Sequence, residues 1–181
     1  MSMLGTQLVT TVSGSTTLHV YHGQSIQDAI NSAQPGDTIF VHNGTYYEHV
    51  TIDKSILLIG EDKCNTIIDG GGTGNIIEVT ASNVNITGFT IQKSGSYPNC
   101  GIYVGEWNSG NNISHNIITN NYFGVRLYGS SGNTVSGDTP IFIFPDPPEN
   151  IVGTPVCTEA PKFNRTKKTT KSMSPVVKVT E

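Results

Sequence analysis

The second half of the chain repeats itself, and the repeat restricts the fold more than any other feature. Asn112-Ile113-Ser114-His115-Asn116 returns as Thr134-Val135-Ser136-Gly137-Asp138 about 22 residues on, and Gly101-Ile102-Tyr103-Val104 returns as Gly124-Val125-Arg126-Leu127 after about 23. A unit of this length cannot bury its apolar side alone, so it must stack on its neighbours. Inside each unit, apolar and polar residues alternate over short segments that Gly and Asn separate, which is strand patterning. The segments sort in threes. His49–Ile52, Ile56–Ile59 and Thr66–Ile68 form one set. Ile76–Val79, Val84–Thr87 and Phe89–Ile91 form the next, and Gly101–Val104, Asn112–Ser114 and Asn116–Thr119 the third. Gly124–Leu127 and Asn133–Ser136 open a fourth.

Three strands and three turns per repeat make one coil of a parallel β-helix, in which each strand pairs with its equivalents about 4.8 Å above and below. The sequence therefore predicts an all-β chain: a single-stranded, right-handed parallel β-helix of about four coils. Its Val and Ile side chains stack in inward columns. The Asn residues near the turns (Asn111, Asn112, Asn116, Asn120, Asn121 and Asn133) are expected to satisfy turn backbone with their amides. A β-sandwich of many short strands is the competing architecture.

One segment breaks the strand pattern. From Ser25 to Ala33, Ile26, Ala29, Ile30 and Ala33 fall on one helical stripe; Ser25 is placed to cap it, with Asp28 three residues on. Gln34-Pro35-Gly36 ends it. A lone amphipathic helix ahead of a strand series needs an apolar partner, and the open end of the stack supplies one. The domain reading is a poorly ordered segment 1–17, a β-helix over 18–138 with its capping helix at 25–33, and a Pro-, Lys- and Thr-rich linker or tail over 139–181. Ile141–Phe144 is read as one last strand in that tail. Because the pattern stops after about four coils, the chain is read either as part of a longer protein or as a stack capped by its tail.

Composition narrows the partners. Up to Asp138 there are four basic residues against ten acidic ones, and from Thr139 six against four. An acidic body argues against nucleic acid. No apolar run is long enough to span a membrane. The first seventeen residues lack the basic and apolar regions of a signal peptide, so an exported protein would have its leader outside these 181 residues. Four Asn-x-Ser/Thr sequons, at Asn43, Asn85, Asn112 and Asn164, favour an extracellular or cell-surface location. Cys64, Cys100 and Cys157 contain no CxxC pair, so no zinc site is indicated; a Cys64–Cys100 bridge is one alternative and unpaired thiols another. His19, His22, His42, His49 and His115 are scattered without ligand spacing, so no metal site or cofactor is expected. Gly70-Gly71-Gly72-Thr73-Gly74 lacks the Lys and following helix of a phosphate loop and reads as a turn.

The stretch from Gly36 to Gly72 resembles the opening of pectin-lyase-like β-helix proteins, including pectin methylesterases, with Gly44-Thr45-Tyr46-Tyr47-Glu48 resembling their G-x-Y-x-E element. Residues Asn83–Asp138 resemble the repeats of archaeal and bacterial surface β-helix proteins related to the NosD-type periplasmic proteins. The resemblance covers roughly Thr17–Asp138 and implies the fold. It implies no catalytic residue. The D-F-I-F-G-, Q-A-V-A-L- and R-P-W-like segments of the esterases are absent, as are the N-T-D, D-D and R-I-K elements of polygalacturonases. The copper association of the NosD relatives would make His42 and His49, which flank one turn, the first pair to test.

The repeat register yields one candidate surface. In one strand of each coil, the residue between two inward ones points outward, which aligns Thr51, Glu78, Tyr103 and Arg126 in an exposed column. In the resembled family, substrates lie along the comparable sheet. A ring can stack on a sugar face, and ions can bond hydroxyls or carboxylates. Glu106 and Trp107 follow the column, and Tyr122 and Tyr128 flank its last member. The plain alternative is a solvated face with a cross-strand ladder. A hydrolase wants two carboxylates across a glycosidic bond, and the column offers one, Glu78. The expected function is thus a non-catalytic extracellular or cell-surface domain that binds polysaccharide. The alternatives are a carbohydrate-active enzyme with an incomplete catalytic set and a copper-associated periplasmic protein.

Overall fold

A computed structural model describes residues 14–137 and 151–152. In chain order the elements are β1 (Thr17–Val20), α1 (Ile26–Ser32), β2 (Thr38–Val41), β3 (Gly44–Tyr46), β4 (Val50–Ile52), β5 (Leu57–Gly60), β6 (Thr66–Thr73), β7 (Ile77–Val79), β8 (Asn85–Thr87), β9 (Thr90–Ser94), β10 (Cys100–Val104), β11 (Asn112–Ser114), β12 (Ile117–Thr119), β13 (Phe123–Leu127), β14 (Thr134–Ser136) and β15 (Ile151–Val152). They form three parallel sheets. Sheet A runs β1-β2-β5-β8-β11-β14-β15, sheet B β3-β6-β9-β12 and sheet C β4-β7-β10-β13. The chain visits A, B and C in rotation, which is a parallel β-solenoid. The described residues hold four complete coils, with one further sheet-A strand above and two below.

The stack begins earlier than the alternation pattern indicates. β1, β2 and β3 precede the first strand set read from the sequence, and β2 and β3 complete the coil that β4 closes. In β3 the signal is weak: Gly44-Thr45-Tyr46 becomes a strand by pairing with Thr66-Ile67-Ile68. At the other end β15 pairs in register with β14, Thr134 with Ile151 and Val135 with Val152. The strand expected at 141–144 lies outside the described residues, as do residues 1–13 of the segment 1–17 expected to be poorly ordered and the rest of the tail apart from 151–152; the last residue of that first segment, Thr17, begins β1.

The core is a set of stacked columns. Ile39, Leu58, Ile86, Ile113 and Val135 face inward from sheet A in successive coils. Tyr46, Ile68, Ile91 and Ile118 do so from sheet B. Val50, Ile77, Ile102 and Val125, with Ile52, Val79, Val104 and Leu127, do so from sheet C. Each full burial of such a side chain contributes about 1.5–3 kcal/mol, and the period of two keeps every column on the same side.

Asparagine holds the corners. Asn116, buried, accepts from Phe89 N–H (3.1 Å) and donates to the carbonyls of Ile86 (3.0 Å) and Ser114 (3.1 Å). Asn111 accepts from Val84 N–H, Asn121 from Ser94 N–H and Asn133 from Asn111 N–H. Four of the six expected asparagines therefore tie one coil to the next. Asn112 and Asn120 do not, because both side chains are exposed, and Asn120 instead supplies a left-handed turn (φ 55°). Gly60 and Gly88 mark a close approach between coils: a Cβ on Gly60 would lie 2.2 Å from the Gly88 carbonyl oxygen.

The helix is capped as its sequence indicates. Ser25 Oγ accepts from Asp28 N–H (3.1 Å), and Ala33 is the C-cap. Ile26 and Ile30 are fully buried, and α1 packs against β1 and against β2 and β4 of the first complete coil. Glu48 completes this end. Its carboxylate accepts from Ile26 N–H (3.0 Å), Gln27 N–H (3.1 Å) and Ser25 Oγ–H (3.0 Å), satisfying amides that a helix N-terminus leaves open. In the Gly44–Glu48 segment, Tyr46 is buried with its hydroxyl on the His42 carbonyl (2.8 Å), Tyr47 is exposed, and Glu48 holds the helix. The residues of the G-x-Y-x-E element thus build this end of the fold.

Candidate functional site

The exposed column forms on sheet C. Thr51 pairs with Glu78, Glu78 with Tyr103 and Tyr103 with Arg126, so the four side chains leave the sheet at successive coils. Thr51 is exposed and the other three are half-buried. The inward neighbours on either side fix this direction, since a strand cannot bury two consecutive side chains on one face.

The column divides into two halves of different chemistry. In the first, Glu78 accepts from Asn75 Nδ2 (2.7 Å), while Asn75 Oδ1 accepts from Cys100 N–H (2.9 Å). His49 is fixed on the same corner, with Nδ1 on the Asn75 carbonyl (2.6 Å) and Nε2 on Thr73 Oγ1 (3.1 Å). These groups line an open depression of about 420 Å³ beside Thr51 and Glu78. The side chains of His49, Asn75 and Glu78 that line it are already engaged in these hydrogen bonds, and Val50 and Gly74 add apolar surface.

The second half is aromatic. The Arg126 guanidinium lies over two rings, 5.8 Å from the centre of Tyr103 and 5.3 Å from that of Tyr128, and the rings stack on each other at 6.5 Å. On the upstream edge Tyr97 and Tyr122 meet edge-on at 5.6 Å, and each meets Phe123. Tyr97, Pro98, Phe123 and Arg126 surround a small hollow of about 90 Å³. On the downstream edge Trp107 N–H donates to the Gly129 carbonyl (3.0 Å), placing the indole, 88% exposed, beside the turn after Tyr128. Glu106 packs next to Gly129 on the same turn. Sheet C at its last two coils is therefore a face framed by aromatic rings with one cation between them. Among the described residues no carboxylate lies within ion-pair distance of Arg126.

Burial pushes the Tyr103 hydroxyl above its ordinary value, with the Arg126 charge pulling the other way. Burial likewise pushes the Cys100 thiol up to about 12, against the same charge. Cys100 lies at the start of β10 with Sγ 3.2 Å from Asn75 Oδ1, and no disulfide joins it to the exposed Cys64.

All eight residues singled out in the sequence lie on or beside sheet C. Sequence reading missed Tyr97, Pro98 and Phe123, which arrive from a corner loop and a strand start, and Asn75; His49 was singled out only as a partner for His42, and a hydrogen-bond chain through Asn75 joins it instead to Glu78. The Tyr97-Pro98 pair in a Gly- and Ser-rich loop was the one available signal. His42 and His49 are not brought together; His42 faces sheet A and meets His19 there.

A second polar cluster, on sheet B, closes on itself. Buried Asp69 accepts from Lys93 Nζ (2.6 Å), Gln92 Nε2 (2.9 Å) and Gly71 N–H (3.0 Å). Burial opposes its charge, but the bonds from Lys93, Gly71 and Gln92 and the Lys93 charge outweigh that and hold the carboxyl below its ordinary value. Among the described residues no helix is long and apolar enough to cross a membrane, and no group of three or more His, Cys, Asp or Glu side chains is placed to hold a metal ion. No family model, curated protein or solved structure matches the chain.

Proposed function

We propose that the chain is a non-catalytic β-helix module of the pectin-lyase-like kind, akin to NosD-type surface proteins, that works outside the cell and binds polysaccharide along sheet C. The observation that carries this reading is Arg126, held over Tyr103 and Tyr128 with no carboxylate partner among the described residues. Aromatic faces recognise the apolar face of a sugar ring, and a guanidinium fixed on such rings keeps its N–H fork for an anion or hydroxyl. The geometry favours glycans that carry carboxylates. Trp107, Tyr122 and Tyr97, each more than half exposed, extend the stacking surface to both edges. The first half of the column, where Glu78 is held by Asn75, contributes hydroxyl contacts rather than stacking.

A glycan array, followed by affinity electrophoresis in gels containing the best ligand, tests this. The wild type is expected to be retarded by an acidic polysaccharide, and the Tyr103→Ala, Arg126→Ala double variant to migrate as in a plain gel. Equal retardation of the two proteins, or no ligand for the wild type, would remove sheet C as the binding face.

A further inference from the structure

On the other side of the stack two histidines face each other. His19 leaves the exposed face of β1 and His42 follows β2 directly; His19 Nδ1 and His42 Nε2 lie 3.1 Å apart. The remaining ring nitrogen of His42, Nδ1, meets Glu61 Oε2 at 3.3 Å, and Glu61 Oε2 also accepts from Asn43 N–H at 2.8 Å. Tyr21 lies flat on the His42 ring (4.2 Å between centres, 7° between planes), and Phe40 meets it edge-on at 5.1 Å.

These contacts orient His42. Donation from Nδ1–H to Glu61 leaves Nε2 with its lone pair outward, toward His19. A ligating histidine whose far nitrogen is bonded to a carboxylate is the usual support of a metal-binding imidazole. Two metal–nitrogen bonds of about 2.0–2.1 Å, meeting at an angle between about 100° and the tetrahedral value, place their nitrogens about 3.1–3.4 Å apart. The observed separation falls within that span. The ring centres are 5.3 Å apart, so the two nitrogens face each other nearly head-on. Chelation therefore needs the rings to turn until their lone pairs converge, and the His19 proton to pass from Nδ1 to Nε2, a tautomer change that leaves the ring neutral. His19 is exposed and His42 half-buried, and no third protein ligand converges among the described residues, so water would fill the other positions.

We infer that His19 Nδ1 and His42 Nε2 form a surface site for one divalent first-row transition cation such as Zn2+, with Glu61 as the positioning residue. The site lies on sheet A and stands apart from the glycan reading of sheet C. Zn2+ alone, titrated into tag-free full-length protein by calorimetry, tests it, together with NMR of the imidazole nitrogens. The wild type is expected to bind one equivalent with micromolar affinity and to shift the His19 and His42 resonances while leaving His49 and His115 in place. His19→Ala and His42→Ala are expected to abolish the one-equivalent binding. Glu61→Gln is expected to keep the stoichiometry and weaken affinity about 10-fold or more. Circular dichroism on the variants checks the fold, which exposed His19 does not support. Wild-type titration without binding heat, or histidine variants that bind as the wild type does, would overturn the site.

Discussion

Replacing Asn116 by Ala tests how the coils are held at their corners. The carboxamide makes three hydrogen bonds from a buried position, one accepted from Phe89 N–H and two donated to the carbonyls of Ile86 and Ser114. A typical intramolecular hydrogen bond contributes about 1 kcal/mol net, and a buried donor left unmatched costs about 1–3 kcal/mol. Carbonyls tolerate under-satisfaction better than N–H groups, so Phe89 N–H sets most of the penalty. A loss of about 3 kcal/mol follows. For a stack of this size that corresponds to a fall in Tm of about 10 °C. The comparison is Asn112→Thr, four residues earlier on an exposed strand position, which should stay within about 0.5 kcal/mol of the wild type. Urea unfolding followed by circular dichroism reads both, and an unchanged slope would show that the same cooperative unit unfolds. If the two variants lose stability equally, or Asn116→Ala melts with the wild type, the corner argument is wrong.

Two further outcomes are expected. Glu48→Ala opens the N–H groups of Ile26 and Gln27 at the helix start and should destabilise the protein by about 1–3 kcal/mol, read as a lower urea midpoint; an unchanged midpoint would separate the Glu48 contact from the fold. Cys100 carries a pH dependence whose sign follows from its raised value: the folded state holds the thiol proton more tightly than the unfolded state, whose value is 9.0. Its contribution is complete below about pH 9 and is lost as pH rises toward about 12, so wild-type stability should decline across that window more steeply than that of Cys100→Ala, and parallel curves would count against it.

The chain dictates its own columns. Parallel strands stacked coil on coil pair like positions, and a period of two sends alternate residues in and out, so Ile102 and Val125 could be assigned to the core and Tyr103 and Arg126 to the surface without coordinates. The same holds for the cap, because Ser25, Asp28 and the stripe from Ile26 to Ala33 act within one turn or two. What the period does not carry is the length of the corners. Asn85 pairs with Asn112, 27 positions on, but Asn112 pairs with Thr134 after only 22. The variable loops decide which side chains from one coil land beside the next, and no local pattern encodes that. Tyr97 and Phe123 reach Arg126 in this way, and so do Glu48 the helix and His42 the ring of His19. β3 belongs to the same class, a polar triplet made into a strand by the ladder of β6. Sequence alone thus determines the scaffold and the direction of each strand residue, since both follow from contacts repeated every coil. The neighbours that give the surface its chemistry are set by the tertiary structure, because each meets its partner once, across a loop of its own length.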